Sequence, residues 1–295
     1  MADLTKVVDI HCGWGALGAA SEWNDVGAIQ TAMTARGVGT VFLSSLLSRR
    51  YDLPAGNDAL ANVLGELPED SGNGVDVHGW LVIHPARAND VTTQMRRLLY
   101  GKRFIGAALY TDPMTGAPPT VVGAHDLLAA FRRFSKPLLI EAPNASAMAE
   151  ALRIADDLSG VKIIISGMGG QEWREALAMA SRYTNLFFDI SGALIAEKIE
   201  YALQVLHGSR KLLFASGAPQ TDPAAVLGIL DDLNLSPEDR DRILRTNAIK
   251  LFGLAALDMA SASLTPLAGE EGEVTANFMI GTLEPPPPAG GSNPA

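Results

Sequence analysis

Eight short runs rich in Val, Ile, Leu and Phe recur along this chain, separated by stretches with helical spacing. That alternation constrains the fold more than any other feature. The runs are "KVVDIH", "GVGTVFLSS", "DVHGWLVIHP", "RFIGAALY", "KPLLIEAP", "VKIIISG", "NLFFDIS" and "KLLFASG". Several are almost continuously apolar, the mark of parallel strands whose two faces are both covered by crossover helices. Between them, segments such as "SAMAEALRIADDLSG" and "QEWREALAMASRY" carry their apolar residues on one side at helical spacing. Eight strands alternating with helices predict an α/β fold of the (β/α)8 TIM-barrel type, with a doubly wound open sheet as the alternative.

Helix ends fit this reading. In "SPEDRDRILRTNAIKLFGL", Ser236 is placed to cap the first turn, Pro237 occupies the first helical position, and Glu238 and Asp239 face the positive end of the helix dipole. Gly253 is placed to end that helix. After about Leu264 the character changes to "LAGEEGEVTANFMIGTLEPPPPAGGSNPA", whose proline run cannot bury a core. We therefore expect a barrel over residues 1–260 and a Pro/Gly-rich tail over 261–295. That tail is either disordered or an arm in which "VTANFMIGTL" adds to a partner subunit.

Composition removes several classes. The formal net charge is -10 and no Lys/Arg-rich block appears, which argues against a nucleic-acid partner. Cys12 is the single cysteine, so no internal disulfide or thiolate cluster can form. No apolar run approaches the ~20 residues that span a bilayer. The start "MADLTK" lacks the basic and apolar regions of a signal peptide, and a cytoplasmic location is the expectation.

Taken in order, several segments resemble the amidohydrolase superfamily, in the branch related to carboxymuconate-semialdehyde decarboxylases and small-acid hydrolases. "VVDIHCGWG" stands where that family has D-x-H-x-H, and "GNDALANVLGELPEDSGNGVDVHGWLVIHP" resembles its N-x-x-L helix leading into the third strand. "VKIIISGMGGQEWREALAMASRYTNLFFDISG" is similar to the H-x-G-G segment followed by a strand ending in Asp-x-Ser. "KLLFASGAPQTDP" and "LRTNAIKLFGL" resemble the S-D-x-P segment and the closing helix. The resemblance spans nearly all of residues 5–255 and implies a barrel with a divalent metal, usually zinc, at the C-terminal ends of the strands.

Carried over position by position, the resemblance implies a degenerate site. His11 matches the first histidine of the pair, but Gly13 stands at the second. Glu141 stands where the fifth strand usually supplies a histidine, Gly167 replaces the sixth-strand histidine, and Gly217 replaces the aspartate that ligates metal or moves a proton. Two donors are too few for a three- or four-ligand zinc site, so we expect no metal and no other cofactor.

Other polar residues fall near strand ends: Ser44, Ser45, His84, Asp112, Ser166, Asp189, Ser191 and Ser216. His11, His84 and Glu141 are the catalytic candidates of a metal-free site, with Glu141 or Asp189 orienting a histidine base. Gly13, Ser166, Gly167, Asp189, Ser216 and Gly217 are the expected pocket lining. The plainer reading gives His84 a backbone hydrogen bond, makes Asp189 and Ser191 a strand–helix junction, and lets Glu141 form a buried pair with His11. "GMGG" before a helix is a weak phosphate-cradle signal.

Three functions from different classes remain open. One is a non-catalytic structural or regulatory subunit, in a homo- or hetero-oligomer with an active amidohydrolase paralogue. Another is a metal-independent hydrolase or lyase acting on a small carboxylate or ring substrate. The last is a module that binds a small molecule at the barrel mouth without turning it over.

Overall fold

The computed structural model describes residues 7–16, 21–68 and 74–254. Eight strands, β1 (Val7–Trp14), β2 (Val38–Ser45), β3 (Asp76–Ile83), β4 (Phe104–Leu109), β5 (Leu138–Glu141), β6 (Ile163–Ser166), β7 (Leu186–Asp189) and β8 (Leu212–Leu213), pair in parallel in sequence order. Seven of the eight fall within the apolar runs identified from the sequence, and β1 continues three residues past the end of "KVVDIH". The ring closes through backbone hydrogen bonds between β1 and the chain after β8. Ile10 N–H donates to Phe214 O at 3.1 Å, Gly217 N–H to His11 O at 3.0 Å and Gly13 N–H to Ala218 O at 2.6 Å. This seam makes the sheet a barrel rather than an open doubly wound sheet.

The strands bury nearly all their side chains, as their apolar composition requires. Two buried polar anchors fix neighbouring elements. Asn57, in the helix Leu53–Glu66, accepts from Val82 N–H at 3.1 Å and donates to Val82 O at 2.9 Å, so it pairs with β3 as another strand would. Trp80 Nε1 donates to Ile10 O at 2.7 Å, and the Trp80 and Phe42 rings meet Phe252 edge-on, tying the last helix to the barrel.

The C-terminal helical segment starts and stops as its residues dictate. Ser236 Oγ accepts from Asp239 N–H at 3.0 Å, and Gly253 ends the segment in the left-handed region at φ 68°. Its middle differs from one regular helix. Arg242–Thr246 form a π turn between Pro237–Asp241 and Asn247–Phe252. The reason lies in β8, which is only two residues long. Ile243 O is drawn to accept from Phe214 N–H at 2.9 Å, and Asn247 Nδ2 donates to Ser209 O and Leu212 O, both at 2.8 Å.

Among the described residues, no helix is long and apolar enough to cross a membrane. The boundary expected near residue 260 and the tail beyond it, including "VTANFMIGTL", lie outside the described residues.

Candidate functional site at the barrel mouth

Active sites of (β/α)8 barrels form where the strands end and the βα loops begin. At that end of β1 the ladder with β2 carries one extra residue: Asp9 pairs with Val41 but Cys12 pairs with Leu43. A bulge of this kind re-aims a side chain, and here Ile10 and His11 lie within it. His11 Nδ1 lies 2.9 Å from Asp189 Oδ2 at the end of β7 and 3.2 Å from Ser166 Oγ at the end of β6. Its Nε2 is 3.2 Å from the Tyr110 hydroxyl, which also donates to Ser44 Oγ at 3.0 Å. Both ring nitrogens are therefore occupied by protein groups, and the side chain is 8% exposed.

Asp189 is the hub of this side. Its Oδ1 accepts from Gly167 N–H at 2.8 Å, Ser191 N–H at 3.0 Å and Ser191 Oγ–H at 2.6 Å. Burial by itself pushes the carboxyl up, but the charge interaction and hydrogen bond with His11, together with the Gly167 and Ser191 donors, hold it below the usual carboxylate range. Asp189 therefore contacts both His11 and the Gly167–Ser191 junction. Lys198, which the sequence analysis did not single out, reaches from the helix Ala196–Val205 to Gly167 O at 2.8 Å and Gly170 O at 3.3 Å. Burial lowers its ammonium below the ordinary lysine value.

Near the seam, Asp9 Oδ1 accepts from Ser216 N–H at 3.0 Å while its Oδ2 is buried without a partner, and burial pushes its carboxyl up. Ser216 Oγ accepts from Ala218 N–H at 3.0 Å and is 3.5 Å from Cys12 Sγ. Burial, with Asp9 nearby, raises the Cys12 thiol well above its usual value, which removes it as a nucleophile at neutral pH.

The opposite side of the mouth is built differently. Glu141 does not pair with His11. Its Oε2 accepts from Thr111 N–H at 3.0 Å and Thr111 Oγ1–H at 2.5 Å, and its Oε1 lies 3.5 Å from the Arg49 guanidinium. The physical reason is reach: the residues just after β4 present a backbone and a hydroxyl donor beside β5, whereas His11 is already saturated by Asp189 and Tyr110. Arg49 Cζ stands 3.8 Å from the centroid of the Tyr110 ring, a cation–π stack. His84 takes the plainer role, its Nδ1 accepting from Ala86 N–H at 3.2 Å and its Nε2 3.9 Å from Asp112 Oδ2. The structure thus gives His11, His84 and Glu141 three separate sets of partners around the end of β4. Arg49, Tyr110 and Thr111, which connect those sets, escaped the sequence reading. Tyr110 ends the run "RFIGAALY" and could have been found by reading every strand terminus, whereas Arg49 in "LLSRRYD" reads as an ordinary helix-end cation.

Comparison with known proteins places this arrangement in a family. A family model described as amidohydrolase matches residues 51–254, and the chain belongs to that family. No curated protein matches the sequence. The barrel is similar to that of 2,6-dihydroxybenzoate decarboxylase from Rhizobium, at TM-score 0.65 and 16% identity, covering 84% of this chain and 99% of that one. It is also similar to 5-carboxyvanillate decarboxylase from Sphingomonas paucimobilis, at TM-score 0.63 and 13% identity over 84% and 99%. A third likeness is to dihydroxybenzoic acid decarboxylase from Polaromonas, solved with bound manganese and 2-nitroresorcinol, at TM-score 0.65 and 15% identity over 84% and 98%. At these identities the likeness concerns the fold.

The family raises the question of a metal, and the residues present do not fit one. Among the described residues, no three His, Cys, Asp or Glu side chains converge as a ligand set. Of the donors that remain, His11 is held by Asp189 and Tyr110, Asp189 by four contacts and Glu141 by Thr111 and Arg49, while Asp9 keeps one buried oxygen without a partner and has no second free donor beside it among the described residues. The three glycines are not simple deletions either. A Cβ at Gly13 would meet Leu46 Cδ2 at 2.7 Å, and Gly167 and Gly217 sit in the left-handed region at φ +63° and +74°, where a ligating side chain is strained.

Proposed function

We propose that this chain is an amidohydrolase-family barrel without metal-dependent chemistry of its own, acting as a structural or regulatory subunit beside a metal-bearing relative. One observation supports the reading: His11 and Asp189, at the ends of β1 and β7, are engaged by protein groups in a buried hydrogen-bonded lattice. His11 is held on both nitrogens, and the backbone at Gly167 donates its N–H to Asp189 where a histidine would otherwise project. Such a lattice stabilises the mouth of a barrel but presents no open coordination position, which metal catalysis requires. Purification from the native source without chelators tests the proposal. The expected result is a complex with a metal-loaded amidohydrolase whose activity falls when this chain is removed. A monomer with no copurifying chain would count against it.

The His11–Asp189 pair at 2.9 Å supports a second reading, a metal-independent hydrolase or lyase in which the carboxylate orients the imidazole as a base. For that chemistry Tyr110 must swing off His11 Nε2 to admit substrate. Activity that survives chelators and vanishes in His11→Ala would favour this reading over the first.

A further inference from the structure

At the barrel mouth, the segments following β2, β3 and β4 line an open cavity of about 340 Å3. Its lining includes Arg49, Arg50 and Arg87, with Asp112 as the one carboxylate, in a chain whose formal net charge is -10. We propose that this cavity is a binding site for a small oxyanion, a carboxylate or phosphate group on a compact molecule. The inference does not depend on the subunit reading above, since an anion pocket on this side of the mouth serves a subunit and an enzyme alike.

Three features support it. First, Arg49 is pre-set. The Ser45 hydroxyl caps the helix Leu46–Arg50, the guanidinium is stacked on Tyr110 at 3.8 Å, and Glu141 Oε1 lies 3.5 Å from one of its nitrogens. A guanidinium presents five N–H donors in a planar fork that matches an oxyanion, and little freedom remains to be lost on binding. Second, among the described residues Arg50 has no ion pair, and the Arg87–Asp90 contact is long at 3.8 Å with both side chains about half exposed, so it is easily exchanged. Third, Asp112 stays ionised, because its loop donors hold its carboxyl below the usual range, but those same donors partly offset its charge toward an anion. Its Oδ1 already accepts from Met114 N–H at 3.0 Å, Thr115 N–H at 2.8 Å and Thr115 Oγ1–H at 2.9 Å, and its Oδ2 faces His84. His84 and Thr111 also line the cavity and add polar groups to it.

The test is isothermal titration of the full chain with succinate, with inorganic phosphate and with dimethyl succinate as the neutral control, all at constant ionic strength. Saturable binding of succinate or phosphate is expected, with none of the ester, and the stronger of the two anions identifies the source of the oxyanion. Arg50→Ala and Arg87→Ala, both exposed and outside the His11 lattice, are each expected to weaken binding about tenfold, the equivalent of about 1.4 kcal/mol for a lost charge-assisted hydrogen bond. Arg50→Lys should retain part of the affinity. Absence of saturable binding up to about a thousandfold excess of either anion over protein, or affinity unchanged in the Arg50→Ala/Arg87→Ala double variant, would overturn the proposal. Metal content and catalytic activity are untouched by either result, so failure here is distinguishable from failure of the subunit reading.

Discussion

The two sides of the barrel mouth treat polarity in opposite ways. On the side of β1, β6 and β7, His11, Asp189 and Ser191 are buried and, with the half-buried Ser166, satisfy one another by hydrogen bonds. On the side of β2, β3 and β4, guanidiniums line an open cavity with few partners. The same parallel strands underlie both. The difference shows that a barrel holds its scaffold through the strand core and its seam, while the loop residues are free to close one region and open another.

The sharpest way to break this comparison is at Asp189. Asp189→Ala removes the partner of His11 and orphans the Gly167 and Ser191 donors, and it should cost about 3–5 kcal/mol in denaturant unfolding. A loss below about 1 kcal/mol would mean that the lattice is not what holds this side. Asp189 also makes the pH dependence explicit. Its folded pKa lies below the unfolded value, so its contribution is fully present above about pH 4 and disappears as pH falls through the folded value. Acid unfolding of Asp189→Asn should therefore lack the part of the slope that the wild type shows below that pH.

Next in size are attempts to restore the family's ligands. Gly167→His and Gly217→Asp each place a side chain at positive φ and should cost about 1–3 kcal/mol, and Gly13→His must displace Leu46. The triple variant should show no zinc-dependent rise in melting temperature. A rise of several degrees with equimolar zinc would show that the backbone still remembers a metal site. Smaller again is Tyr110→Phe, which removes one buried hydroxyl at about 1 kcal/mol and uncovers His11 Nε2. Reaction of His11 with diethyl pyrocarbonate should accelerate in this variant, and an unchanged rate would mean that Tyr110 does not shield it. On the open side, Arg50→Ala should change stability by no more than about 0.5 kcal/mol, because Arg50 is exposed and forms no ion pair among the described residues.

The fold was largely legible because its cause is local. Eight apolar runs, the Ser236–Pro237 start and the Gly253 stop each act through nearby residues, and each is found where the residues indicate. The π turn at Arg242–Thr246 was not legible, because it answers to the shortness of β8 and the needs of Phe214 N–H. The site was half legible. His11 and Asp189 stand out as polar residues at strand ends, and their pairing follows once the barrel brings β1 near β7. Glu141 belongs to Thr111 and Arg49 instead of His11, and that choice depends on which donors the neighbouring strand presents in space. Arg49 over Tyr110 and Lys198 over the Gly167–Gly170 turn are contacts between residues distant in sequence, with no periodic signal to announce them.

We propose that the closed side of the mouth holds a hydrogen-bonded lattice and no metal. Elemental analysis by mass spectrometry of the native-source protein, separated from any partner without chelators, tests it most directly. The account predicts zinc and manganese far below one equivalent per chain, unchanged in His11→Ala. Close to one equivalent of either metal on this chain alone, lost in His11→Ala, would contradict it.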